Sequence, residues 1–164
     1  MVRLHIQSML TSFISILPLC LLAQNFPQDY LRIHNDARAM VGVPPLLWDS
    51  KLESYANSFV MEHVADCAKG KDIEDDDNYS RNIAINSTPK DFTGADAVEL
   101  WVSLKPFYDY ESNSCIGGMP CFLYTQVVSR ASIYLGCATI KCQNGGTLVT
   151  CYYDPPGSVF RRPY

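Results

Sequence analysis

Six of the seven cysteines in this 164-residue chain lie beyond an apolar leader, and that placement limits the fold more than any other feature. Arg3 supplies a short positive start, and an apolar run follows from Met9 to Leu22, ending at Ala23. The pattern reads as a secretory signal peptide over residues 1–23, cleaved after Ala23. The run falls short of the ~20 residues that cross a bilayer, and Pro18 interrupts it. No other segment is apolar enough to span, so no transmembrane segment is expected. Secretion puts Cys67, Cys115, Cys121, Cys137, Cys142 and Cys151 in an oxidising compartment. Six cysteines there imply three disulfides, with ~15 possible pairings. Cys20 lies in the leader. A zinc cluster wants closely spaced pairs such as Cys-x2-Cys, and none is present.

Once the leader is removed, about 141 residues remain, which suits one domain. Hydrophobic residues at 48% and charged residues at 18% suit a packed globule and exclude wholesale disorder. The net charge of −4 argues against a binder of phosphate backbones, which needs a basic face, so no nucleic-acid partner is expected. Asn78-Tyr79-Ser80 and Asn86-Ser87-Thr88 make Asn78 and Asn86 glycosylation acceptors in a secreted chain.

Tyr30, Ile33, Ala37, Met40 and Val41 recur at helical spacing, and Gly42 with Pro44-Pro45 ends that helix. Leu52, Tyr55, Ala56, Phe59, Val60, His63, Val64 and Cys67 form a second helical stripe. Ser50 and Glu53 read as its capping box. Residues 69–82 turn polar, and five carboxylates between Asp72 and Asp77 read as a solvated loop. Their spacing does not match the twelve-residue calcium loop. A third helix starts near Thr93 with Asp96 in its first turn, and Pro106 ends it. Tyr134–Lys141 and Thr147–Tyr153 read as strands joined at Asn144-Gly145-Gly146. That hairpin brings Cys137 within about one residue of facing Cys151, inside disulfide reach. Cys115 and Cys121 close a short loop, and elimination leaves Cys67 with Cys142.

An ordered set of fragments adds to this reading. It runs through Gln28-Asp29-Tyr30-Leu31, His34-Asn35 with Ala37-Arg38, Leu47-Trp48-Asp49 and Ala65-Asp66-Cys67. It continues with Ala97-Val98-Glu99 and Trp101, Tyr124-Thr125-Gln126-Val127-Val128, Gly136-Cys137-Ala138, Cys142 to Gly146, and Cys151-Tyr152-Tyr153-Asp154-Pro155. In this order, with the six cysteines in register, residues 24–164 resemble the pathogenesis-related class 1 proteins of plants, in the CAP (SCP) superfamily. The resemblance implies an α+β fold, a three-layer α-β-α sandwich with an antiparallel central sheet over residues 24–154. It implies the same three disulfides: Cys67–Cys142, Cys115–Cys121 and Cys137–Cys151. It further implies a secreted, apoplastic protein linked to plant defence, expected to be a monomer. A tail at residues 155–164 follows the point where the family releases a signalling peptide, which a receptor would read. Here the tail is one residue shorter than usual, and Ser158 stands where Asn is typical.

Many family members carry a cleft of two His and two Glu that can hold zinc. Carried over one position at a time, the cleft set becomes Lys71, Arg81, Glu99 and Leu123. Only Glu99 keeps the family residue. Two cations and a side chain without a donor atom oppose a divalent metal, so no metal, no cofactor and no catalytic set are expected, and the chain reads as a non-enzyme. Arg81 is expected to pair with Glu99. His34 and His63 read as hydrogen-bonded structural residues that can respond near neutral pH. No Gly-x-Ser-x-Gly elbow or phosphate-binding glycine loop is present. Trp101, Phe107, Tyr108 and Tyr110 cluster where the family has an aromatic loop proposed to bind sterol, and aromatic planes suit a flat apolar ligand. The competing role is core filling, strongest for Trp101. Three functions follow as expectations: binding of sterol or another lipid, supply of a C-terminal signalling peptide, and, least supported, metal-assisted hydrolysis.

Overall fold

The computed structural model describes residues 25–65, 67, 79–88, 91–158 and 160–164. The leader, Lys71, Asn78 and the acidic run 72–77 lie outside the described residues. Pro27–Met40 (α1) is followed by Leu47–Trp48 (β1), Ser50–Glu62 (α2), Ser80–Asn86 (β2) and Gly94–Val102 (α3). A 3₁₀ turn at Lys105–Phe107 leads into the small ribbon Tyr108–Asp109 (β3) and Ser114–Cys115 (β4). Phe122–Val127 (α4), Tyr134–Lys141 (β5) and Thr147–Asp154 (β6) complete the chain. The main sheet has the order β1-β5-β6-β2. It is antiparallel throughout its long strands, while β1 joins β5 as a two-residue parallel edge.

The sheet is covered on both faces, which makes the three layers. Strand side chains alternate between faces. Thus Leu135, Cys137, Val149, Cys151 and Tyr153 join Tyr30, Ile33, Trp101 and Val127 in a larger core under α1, α3 and α4. Ala138, Leu148 and Tyr152 face the other way and pack with Leu52, Ala56, Phe59 and Val60 of α2. Gly136 lets α2 lie this close to β5, because a Cβ there would collide with the backbone at Leu52 and Glu53. At the β5–β6 turn, Gly145 has φ +84°, a left-handed conformation that favours glycine.

Local chemistry explains the helix ends. Thr93 caps α3 at its expected start, and it forms a capping box with Asp96: the Thr93 amide donates to Asp96 Oδ2 at 2.7 Å, and Thr93 Oγ1 accepts from the Asp96 amide at 3.2 Å. For α2 the expected box is displaced. Asp49 is the cap, accepting from the amides of Lys51 (2.8 Å) and Leu52 (2.9 Å). Glu53 instead accepts from the Trp48 indole at 2.9 Å. The α2 stripe also ends early, at Glu62, with Tyr55 exposed and His63 in the turn beyond.

Three disulfides join Cys67–Cys142, Cys115–Cys121 and Cys137–Cys151, with Cα separations of 6.0, 5.3 and 4.0 Å. Cys137 and Cys151 face each other directly across the β5–β6 ladder. Cys67–Cys142 ties the chain just beyond α2 to the end of β5.

Candidate functional site

The residues of the resemblance motif turn out to hold the frame that carries the site. His34 Nδ1 lies 2.8 Å from the Tyr30 carbonyl, an oxygen that only accepts, so Nδ1 carries the proton. Nε2 is then the acceptor for the Tyr153 hydroxyl at 2.9 Å. Asn82 donates to that same hydroxyl at 3.2 Å and to the Leu123 carbonyl at 2.8 Å, linking β2 to α4. Asn35 pairs with the Leu46 backbone in both directions. Arg38, 1% exposed, donates to four carbonyls: Pro44 (2.7 Å), Val127 (3.1 Å), Ser129 (2.8 Å) and Ser132 (3.0 Å).

Burial sets the charge state of His34. It is 0% exposed, and desolvation lowers its pKa to about 4, which corrects the expectation that it responds near neutral pH. The fold therefore holds the neutral ring, while the unfolded chain takes up a proton near ~6.5. The contribution of His34 to stability is complete above pH ~6.5 and is lost as the pH falls toward 4, about 3 kcal/mol in all. Urea midpoints at pH 7, 5 and 4 should fall less steeply with acid in His34→Gln, which does not titrate, than in the wild type. Parallel slopes would contradict this assignment. His63 is half-buried at the end of α2, stacked on Phe59 at 4.5 Å, with Nδ1 2.7 Å from the Phe59 carbonyl.

Three of the four cleft positions, Arg81, Glu99 and Leu123, are among the described residues. Arg81 turns toward the α2 layer, with its guanidinium 4.7 Å from the Phe59 ring centre and donating to the Tyr152 hydroxyl at 3.2 Å. Glu99 is exposed on the outer side of α3, because Ala97, Val98 and Trp101 take the inner side. The expected Arg81–Glu99 ion pair does not form. Two layers of the sandwich separate the faces on which these side chains lie. Leu123 is half-buried and packs on the larger core. A polar cavity of about 180 Å³ lies between β2, α4 and the tail, bordered by Ser80, Arg81, Asn82, Thr125 and Gln126. A cation and hydroxyl or amide groups line it, so the residues present do not fit a zinc ion. Among the described residues, no group of three or more His, Cys, Asp and Glu stands where it could hold a metal.

The aromatic segment divides. Trp101 is 0% exposed, with its indole donating to the Ile83 carbonyl at 3.4 Å. It fills the core and does not reach an outer ligand surface, correcting its place in the candidate ligand set. Phe107 and Tyr108 are half-buried and Tyr110 is exposed. An open groove of about 250 Å³ is bordered by Tyr108, Asn113, Cys115, Cys121, Phe122 and, from the tail, Arg161. The Cys115–Cys121 bridge and the Tyr108 hydroxyl, which donates to Asn113 at 2.8 Å, brace its wall.

The tail reaches this segment, a connection that no sequence signal announced. Ser132 donates to the Pro155 carbonyl at 2.8 Å, and the Gly157 amide donates to Gln126 Oε1 at 3.2 Å. The Arg130 amide donates to the Pro163 carbonyl at 2.7 Å, and Pro163 is buried. Arg162 Nε donates to the Tyr110 carbonyl at 2.9 Å, with its guanidinium 4.9 Å from that ring. Tyr164 stacks on Tyr110 at 5.1 Å and its main-chain oxygen accepts from the Tyr110 hydroxyl at 2.8 Å. Asn86, the one glycosylation acceptor among the described residues, ends β2, its side-chain oxygen accepting from the Thr88 amide at 2.9 Å.

Residues 31–153 match the family described as CAP, the cysteine-rich secretory protein family. The chain is 49% identical to pathogenesis-related protein 1B of Nicotiana tabacum over 144 residues, 87% of this chain and 83% of that one. It is 46% identical to pathogenesis-related leaf protein 6 of Solanum lycopersicum, covering 87% and 86%. Among solved structures it resembles venom allergen-like protein 4 of Schistosoma mansoni, with a TM-score of 0.63 and 26% identity over 84% of this chain and 92% of that one. The fold, the three disulfides and these matches together place the chain in the CAP family, alongside the plant pathogenesis-related 1 proteins.

Proposed function

We propose that this protein is a secreted, non-catalytic plant defence protein of the apoplast that binds a sterol or another flat apolar ligand at the segment following α3. The observation that carries this reading is an open groove of about 250 Å³ bordered by the rings of Tyr108 and Phe122, with the partly exposed ring of Phe107 next to Tyr108 in the chain. Aromatic faces bind flat apolar surfaces by area burial and need few polar contacts. Hydrolysis lacks support, because the Arg81 and Leu123 side chains offer no metal ligand. Among the described residues no helix is long and apolar enough to cross a membrane. A precursor role for residues 155–164 is less favoured. Release of the tail requires breaking the contacts of Gly157, Arg162, Pro163 and Tyr164 described above.

Equilibrium binding of a fluorescent sterol tests the reading. Phe107→Ala and Tyr108→Ala should each weaken binding about tenfold, the loss expected when roughly 1.4 kcal/mol of ring contact is removed. Unchanged affinity in both variants would remove this surface from consideration.

A further inference from the structure

The chain carries a net charge of −4, yet cations line one of its cavities. This space, about 480 Å³, lies between the turn after α4 and the tail. Arg130 and Ser129 border it from the body, and Ser158, Arg161 and Arg162 from the tail. No carboxylate is among the described residues that line it. Arg162 is already engaged elsewhere, donating to the carbonyls of Tyr110 and Glu111 at 2.9 Å each and lying 3.9 Å from the Glu111 carboxylate. Arg130 and Arg161 differ. Among the described residues, neither side chain makes a hydrogen bond or an ion pair.

Two guanidinium groups bordering one space without a counter-charge repel each other. Protein walls screen that repulsion less than open water does. An oxyanion reverses the sign of the interaction, and each planar fork can bond two of its oxygens. The cavity is in the size range of small-molecule sites, ~300–1,000 Å³, so it has room for more than a single oxyanion group. The tail is held to the body beside it, because the Arg130 amide donates to the Pro163 carbonyl at 2.7 Å and both residues border the cavity.

We propose that this cavity binds a multivalent oxyanion, held by Arg130 from the body and Arg161 from the tail. One fork stands on each side, so the bound anion also clamps the tail to the domain. Arg161 and Ser158 also border the groove of about 250 Å³ assigned above to the apolar ligand, but the anion proposal rests on the unpaired cations and does not require that groove to bind sterol.

Calorimetric titration of the full mature protein with inorganic pyrophosphate and, separately, with citrate tests it, in a low-salt buffer free of phosphate. At least one probe should bind at a single site. Pyrophosphate alone would identify a phosphoryl ligand, and citrate alone a polycarboxylate. Arg130→Ala/Arg161→Ala should weaken that binding at least about tenfold, as should raising the salt from about 20 to 200 mM. Both side chains are exposed and make no bond, so the double variant should retain the wild-type melting curve. Failure of both probes to bind, or equal affinity in the folded double variant, would overturn the proposal.

Discussion

Replacing Arg38 with leucine should destabilise the fold by about 3–5 kcal/mol, a large share of a small domain's stability. Four carbonyls converge on this one side chain from the α1–β1 loop and the α4–β5 connection. Those of Val127, Ser129 and Ser132 belong to buried residues, so without the guanidinium they lose their donor and cannot all regain water. Burial lowers the Arg38 pKa only to about 10, so the side chain stays charged at neutral pH and its hydrogen bonds are charge-assisted. Arg38→Lys should recover little, because a single ammonium cannot span carbonyls spread around a planar fork. Urea denaturation would check this, and a leucine variant within 1 kcal/mol of wild type would refute the keystone role assigned to Arg38.

The second large effect concerns the long disulfide. Cys67 and Cys142 are 75 residues apart and both are buried. Closing a loop of that length removes much of the freedom of the unfolded chain, so Cys67→Ser/Cys142→Ser should lose about 4 kcal/mol. Cys137 and Cys151 close a loop of only 14 residues, and the ladder already holds that hairpin in register, so their removal should lose about 3 kcal/mol. The order of the two losses in thermal or urea melts is the test. A larger loss at the hairpin bridge would contradict the account of Cys67–Cys142 as the link between the α2 end and the sheet.

Much of the frame was legible because local chemistry and tertiary context agree there. Thr93 and Asp96 mark the start of α3, and Asn144-Gly145-Gly146 marks a turn that a residue in the left-handed conformation completes. Where the two disagreed, context prevailed. Ser50 and Glu53 match the capping pattern, but the β1–β5 pairing holds Asp49 one residue earlier, with its amide donating to the Leu135 carbonyl at 2.8 Å. β2 was hidden because it follows a polar run and both of its faces are covered: Ala84 enters the larger core while Ile83 and Ile85 pack with the α2 layer. The short α4 gave too few turns to show a period.

The site was less legible than the frame, for a physical reason. Position along a chain does not reveal which way a side chain turns across a sheet. Arg81 and Asn82 are neighbours in sequence, yet Asn82 reaches Tyr153 in the larger core while Arg81 lies over Phe59 on the other face. Trp101 reads as a ligand-binding ring by proximity to Phe107 and Tyr108, but the helical phase of α3 sends it inward. The tail contacts join residues some 50 positions apart, such as Tyr110 with Arg162 and Tyr164, beyond the reach of any local pattern.

On the proposed function, this CAP domain works by holding an apolar ligand, without metal-dependent chemistry. Parallel titrations of one purified sample with zinc and with a fluorescent sterol test it most directly. The account predicts saturable sterol binding near one equivalent and no stoichiometric uptake of zinc. Tight one-to-one zinc binding without sterol binding would contradict it.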